Sequence, residues 1–404
     1  MSELNIRNTS SVSQQQVGKS TLLKELFPDW KYVSLDDPYL EEQASQNGSV
    51  FLMLNPPPVI FDEVQRAPIL FRSVKLACDQ SEAKGLFCLS GSQQFKLMKN
   101  VSETLSGRVS ILELAGLSLR EIMGDSFNQR FLPTMEYVMA RRESVQTPGN
   151  VWEIIHRGSY PALQDPNLEW MTFYADYVRT YIERDVRELS AVQDLNAFRR
   201  FMVAVAARTG GMLNYSNIAD EVGKDVVTVK HWLSILEASG IVYLLEPYTP
   251  TALKRAIKTP KLYFRDTGLA CYLTRWLTAD ALAYGAMNGP IFETFVISEI
   301  LKSFSNAGLD YRYFVSYYRG KDKRMKDGER MEQENEIDLI IEENGVLYPI
   351  EIKKAAHVAA EQTRAFQVLD QVPEKKRGMG AVICMCPEVG MVRENVLQLP
   401  LWYI

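Results

Sequence analysis

The tightest constraint on this chain is the stretch Ser13-Gln14-Gln15-Gln16-Val17-Gly18-Lys19-Ser20-Thr21. It fits the pattern G-x-x-x-x-G-K-[ST] at every slot but the first, where Ser13 stands in place of glycine. A loop of this kind turns its backbone N–H groups inward around phosphates, and the helix after it directs its positive end at them. Gln16, Val17, Gly18 and Thr21 are then loop residues of a nucleotide site. Lys19 reaches the β- and γ-phosphates, and the Ser20 hydroxyl is a ligand for Mg²⁺. The helix is expected to place Leu22, Leu23 and Leu26 on one face, with Pro28 closing it.

Two later stretches fit the same fold. Val59-Ile60-Phe61-Asp62-Glu63 is a short apolar strand ending in acids, of which Asp62 bears on Mg²⁺ and Glu63 polarises an attacking water. Leu86-Phe87-Cys88-Leu89-Ser90-Gly91-Ser92-Gln93 is another apolar strand, ending where a third phosphate-side group would sit; Ser92 is the candidate. Strands alternating with helices at this spacing argue for a parallel α/β sheet. Arg108, just before the strand Val109–Leu114, can act as a finger toward a γ-phosphate of its own chain or of a neighbour in a homo-oligomer, or can be an ordinary surface arginine. Against this runs the opening segment. A P-loop hangs from a buried strand, and Asn5-Ile6-Arg7-Asn8-Thr9-Ser10-Ser11-Val12 reads as too polar for one, so the start is expected to be truncated or divergent.

The order Gln16–Thr21, Ile60–Arg66, Leu89–Gln93 and Leu105-Ser106-Gly107-Arg108 resembles an AAA-type ATPase. More narrowly, it resembles prokaryotic ATP-binding proteins that carry a C-terminal domain of unknown function. Later stretches such as Tyr177–Val186 extend the resemblance over nearly the whole chain, while Ser13 and the polar opening depart from it. The resemblance implies ATP binding and names no cellular process.

The bulk numbers add exclusions. A net charge of −5 gives no global pull toward nucleic acid, so any DNA contact must come from a local patch. Five scattered cysteines without C-x-x-C spacing argue against a disulfide framework or a zinc site. No apolar run approaches the ~18 residues of a membrane span, and no signal peptide is evident, so a reduced, cytoplasmic protein without membrane contact is expected.

Beyond the first domain (1–124) the pattern turns helical over 125–205, with Trp170–Leu189 read as one core-facing helix. Residues 206–250 read as a winged helix: Ser216 caps a short helix, Gly223-Lys224 turn, and a longer helix carries Val229, Trp232, Leu233 and Leu236 inward. Lys224, Lys230 and His231 would then face outward, where DNA contact and protein packing are both open readings. The last domain (251–404) opens with a strand and turn over Lys261–Leu269, carries Glu293 and Glu299 on a helix over Pro290–Phe304, and contains a basic run, Arg319–Arg330, read as a solvated mobile loop.

Its most informative feature is a hairpin around Asn344-Gly345, the strongest signal for a type I′ turn. That turn sets Glu343 opposite Val346, and counting back places Asp338 opposite Glu351 and Glu336 opposite Lys353. Carboxylates about 5 Å apart repel unless a cation lies between them. Asp338 with Glu351-x-Lys353 is the constellation of restriction-endonuclease-like sites: the acids hold Mg²⁺, Glu293 would be the third acid, and Lys353 positions water or stabilises the phosphorane; the bland reading is a charged exposed face with a Glu336–Lys353 pair. The expected whole is an α/β protein: a P-loop parallel sheet, a helical and winged-helix middle, and a restriction-endonuclease-like C-terminal domain. Its expected function is Mg²⁺-dependent ATP hydrolysis coupled to the C-terminal region. A DNA-cleaving protein with a vestigial ATPase half, and an inert scaffold, stand as alternatives.

Overall fold

The structure, a computed structural model, describes residues 9–13, 17–91, 101, 103–182, 194–249, 259–326 and 329–404. The N-terminal part runs β1 (Thr9–Ser13), α1 (Lys19–Leu26), β2 (Lys31–Ser34), α2 (Pro38–Gln46), α3 (Gly48–Leu54), β3 (Val59–Asp62), α4 (Ile69–Asp79), β4 (Phe87–Gly91) and β5 (Ser110–Leu114). Its five strands pair in parallel in the order β2–β3–β4–β1–β5. The polar opening is therefore no bar to a strand: Ser10 is in register with Leu89 on one side and Ile111 on the other. A ladder asks only for backbone donors and acceptors, which a Thr-Ser-Ser-Val-Ser segment has in full. The apolar surface comes from β3 and β4, where Val59, Ile60, Phe61, Phe87 and Leu89 are buried. The three-leucine face expected for α1 shrinks to Leu23, packed on Ile60 and Cys88, while Leu22 and Leu26 stay exposed.

After β5 comes α5 (Leu119–Ile122), closed by a reciprocal capping box between Ser118 and Glu121. The helix expected over 170–189 is α-helical as α6 (Trp170–Tyr177) and widens into a π-helical turn at Val178–Ile182. Its remainder lies outside the described residues. Next come α7 (Leu195–Ala206), β6 (Gly211–Met212), α8 (Tyr215–Val222), α9 (Val226–Ala238), β7 (Val242–Leu245) and β8 (Lys261–Phe264). Asn214, not Ser216, caps α8, its side chain accepting from the Asn217 N–H. The strand expected to open the last domain, β8, instead pairs antiparallel with both β6 and β7. Its Leu262, Tyr263 and Phe264 are fully buried, and Tyr263 stacks on Tyr243 opposite, with ring centroids 5.3 Å apart.

The chain continues through α10 (Thr267–Leu273) and α11 (Asn288–Asn306) into β9 (Val315–Lys326), β10 (Glu329–Glu343), β11 (Val346–Lys353), β12 (Lys376–Arg377), β13 (Gly380–Cys384), β14 (Gly390–Arg393) and β15 (Val396–Pro400). These form a mixed sheet in the order β14–β15–β13–β11–β10–β9, with β12 beside β11. One face packs Leu339, Ile341, Ile350 and Ile383 into the core that includes α11, and the other packs Ile337, Ile340 and Val382 under Phe366 and Leu369. The basic run 319–330, read as a loop, belongs largely to a two-stranded ribbon. Its register sets Arg319 opposite Glu336, Lys321 opposite Glu334 and Lys323 opposite Glu332. Arg319 lies 4.0 Å from Glu336 across that ladder, and opposite charges there favour the register.

Two buried acids tie these parts together. Glu299 of α11 accepts from the Leu119 N–H at 2.6 Å and from Lys302 at 2.8 Å, and Lys302 donates to the Leu117 carbonyl at 2.8 Å. Asp266 caps α10 through the Leu269 N–H (2.7 Å) and also accepts from the Ser159 N–H (2.7 Å), the Ser159 hydroxyl (2.8 Å) and the Tyr174 hydroxyl (2.6 Å). Removing that acceptor leaves several buried donors without a partner. Asp266→Ala is expected to cost about 3 kcal/mol, read as a lower urea midpoint, with Asp266→Asn costing less.

Candidate functional site

The P-loop residues and the β3 acids meet at the C-terminal end of the parallel sheet. Gly18, with φ 83°, caps α1 and turns the chain so that the helix starts at Lys19. Lys19 is buried and its Nζ donates to the Gly91 carbonyl at 2.5 Å. Ser20 Oγ donates to Asp62 at 2.6 Å, so the expected Mg²⁺ hydroxyl and carboxylate are in direct contact. The hydroxyls of Tyr32 and Ser90 and the Glu63 N–H also donate to Asp62. Burial alone would raise the Asp62 carboxyl, but these donors, Ser20 first, hold it below the usual carboxylate range. Burial lowers the Lys19 ammonium, opposed by Glu63 and Asp62. Hard oxygens on Ser20 and Asp62, with a lysine beside them, fit a Mg²⁺–phosphate group.

Glu63 adopts a left-handed backbone (φ 55°), uncommon for a residue with a side chain, and accepts from Gln65. Val17 is buried in the core that spreads through the middle region, and a Cβ on Gly18 would lie 3.8 Å from Pro161. Thr21 is exposed on the first turn of α1. Gln16 and Ser92 lie outside the described residues. Arg108 is not brought to Lys19: it pairs with Asp79 at the end of α4, at 2.5 Å on the surface. Tyr32 and Ser90 were missed as site residues. Strand alternation along Leu89–Ser92 could have pointed to Ser90, but only the register of β2 on β3 brings Tyr32 to Asp62.

The second cluster sits where β10, β11, β8 and α11 meet. Asn344 (φ 50°) and Gly345 (φ 79°) form the expected turn, and the ladder runs from Glu343–Val346 to Leu339–Ile350, one step short of Asp338 and Glu351. Lys353 Nζ lies 2.5 Å from Glu351 Oε1 and 3.5 Å from Asp338 Oδ2, and Asp338 Oδ2 also accepts from the Ile352 N–H at 2.9 Å. Glu336, expected to face Lys353, instead stands 2.5 Å from Lys261 Nζ, beside an irregularity of β10 between Ile337 and Ile340. Glu293 accepts from the Tyr263 hydroxyl at 2.5 Å and lies 3.4 Å from Lys261. Among the described residues no three acids, histidines or cysteines form a ready metal cage. Two lysines, Lys261 and Lys353, stand among the expected trio Glu293, Asp338 and Glu351. Lys261 and Tyr263 come from a strand of another sheet, and nothing in their local sequence marks them.

Burial, with Asp338 second, pushes the Glu351 carboxyl up to about 8 and the Glu293 carboxyl up to about 7. Both shifts mean that the folded chain keeps protons the unfolded chain has lost above its ordinary value of 4.5. The stability this lends is fully present below about 4.5 and lost as pH rises through about 7 to 8. Melting temperature of the metal-free protein is thus expected to fall between pH 5 and pH 8, and Glu351→Gln to flatten that fall.

Comparisons with known proteins divide the chain in three. Residues 14–123 match the family model described as an AAA domain. Residues 149–280 and 288–404 match two domains of unknown function, DUF8612 and DUF4143. Uncharacterized proteins of Mycobacterium bovis and Mycobacterium tuberculosis are each 27% identical over 302 residues, which is 74% of this chain and 59% of theirs. No helix among the described residues is long and apolar enough to cross a membrane. The N-terminal region, with its parallel sheet, is thus similar to an AAA domain, and the C-terminal region is similar to a domain of unknown function.

Proposed function

We propose that the chain binds and hydrolyses ATP with Mg²⁺ in its N-terminal domain and couples that cycle to a winged-helix and nuclease-like C-terminal region. The observation that carries the reading is the contact of Ser20 Oγ with Asp62 at 2.6 Å beside the buried Lys19. Mg²⁺ would neutralise phosphate charge there, held by Ser20 and Asp62. Lys19 would exchange the Gly91 carbonyl for a phosphate oxygen, Gln16 to Thr21 and Ser92 would line the loop, and Glu63 would orient the attacking water. Calorimetry tests it: wild type gives binding heat with Mg·ATP, and Lys19→Ala abolishes it. No heat from wild type would sink the reading.

Arg108 acts on a neighbouring copy in this reading, since its own chain turns it to Asp79. ATPase rate per chain should then rise with protein concentration and fall about a thousandfold on Arg108→Ala with binding unchanged. A rate independent of concentration through the range of assembly argues against it.

A second reading, DNA cleavage by the C-terminal region with or without ATP, is favoured by one observation. Glu351 Oε2 is buried and without a hydrogen-bond partner, beside Lys353 and Asp338. A divalent ion held by Asp338 and Glu351, with Glu293 nearby and Lys353 positioning water, would satisfy it. The helices α7, α8 and α9 with the sheet β6–β8–β7 have the order of a winged helix, the part that would meet DNA. Lys224 pairs with Asp194 at 2.9 Å, while Lys230 and His231 are exposed. Asp338→Asn is expected to remove the rise in melting temperature that Mn²⁺ gives to wild type. Equal Mn²⁺ shifts in both proteins would count against the paired acids, and DNA cleavage must vanish in Lys353→Ala.

A further inference from the structure

Lys261 is the least expected member of the C-terminal cluster. It belongs to β8, whose pairing with β6 and β7 fixes its backbone outside the mixed sheet that carries Asp338 and Glu351. Its residue is 3% exposed, among the most buried charged groups described. An ammonium group cannot stay that deep without compensation. The compensation is provided by Glu336 at 2.5 Å, Glu293 at 3.4 Å and Asp338 Oδ1 at 3.9 Å, with the Tyr317 ring 5.7 Å away.

The two sides of the cluster are therefore unlike. Toward Glu293, an ammonium already stands among the carboxylates, and Glu293 Oε1 also receives the Tyr263 hydroxyl. A second cation placed there would meet a like charge within a few ångströms in a poorly solvated site, where the repulsion is little screened. Toward Glu351, one oxygen is engaged by Lys353, and the other, Oε2, is buried with no donor at all. A buried carboxylate oxygen without a partner is the place where an added cation gains most.

We propose that Lys261 is the resident cation of the Glu293–Glu336–Asp338 side, standing where a second metal ion would otherwise sit, so that the cluster takes one divalent ion, at Glu351 Oε2. The inference rests on the reading that the C-terminal cluster binds metal, and it deepens that reading by fixing the stoichiometry and naming the residue that sets it. It also makes the cluster a joint product of two sheets: β10 and β11 supply the acids of the metal side, and β8 supplies the cation of the other.

The test counts Mn²⁺ ions bound by the nucleotide-free full chain, from the loss of the free-ion electron paramagnetic resonance signal. Ions that disappear on Asp338→Asn are taken as cluster ions. Wild type is expected to hold one, Lys261→Met two, and Lys261→Arg, which keeps the charge, one. Two cluster ions in wild type overturn the proposal without need of any variant. One ion at unchanged affinity in a folded Lys261→Met also overturns it. So does none in wild type with one in Lys261→Met, since the lysine would then bar metal altogether. No ion in wild type or in Lys261→Met removes the metal reading itself, an outcome distinct from the failure of Lys261's role.

Discussion

The Leu119 N–H donates to Glu299, and that buried bond pins the segment leaving the N-terminal sheet to α11. The segment leaving β5 would otherwise carry buried backbone groups with no partner. Glu299 and Lys302, one turn apart on α11, satisfy both the Leu119 N–H and the Leu117 carbonyl, and they neutralise each other while doing so. The salt links of Glu113 to Arg265 and Arg312 lie beside this seam and are more exposed, so they contribute less. A fixed seam, in turn, lets the middle region lie against the P-loop, as the burial of Val17 and the nearness of Gly18 to Pro161 require.

The two acid centres solve the same electrostatic problem by opposite means. Asp62 is compensated by neutral donors, three hydroxyls and one N–H, which yield readily when a cation arrives because none of them carries a competing charge. Asp338 and Glu351 are compensated by ammonium groups on long side chains, which compete with a cation for the same oxygens. Under the proposed reading, the first centre would admit an ion that comes and goes with a nucleotide, and the second would resist one except at Glu351 Oε2.

Local signals carried the parts of the fold that depend on neighbours in sequence. The turn at Asn344-Gly345, the strand Val59–Asp62 and the helix after Gly18 all follow from residue types at fixed spacing. What the sequence did not reveal depends on pairing across long distances. The placement of polar β1 inside the sheet, the capture of β8 by β6 and β7, and the ribbon formed by β9 and β10 are set by partners far along the chain. The site residues divide the same way. Lys19, Ser20 and Asp62 belong to motifs, whereas Tyr32 and Lys261 join their clusters only through the sheets that carry them.

One helix, α11, bears both Glu293 and Glu299. Six residues at about 1.5 Å each separate them by roughly 9 Å along the axis. A helix buried along most of its length does not stretch or twist over so short a span. The two carboxylates are accordingly points on a single rigid lever, with the seam to the N-terminal sheet at one and the Lys261 ammonium at the other. The spacing between the seam bond of Glu299 and the Lys261 contact of Glu293 is thereby set by the helix itself.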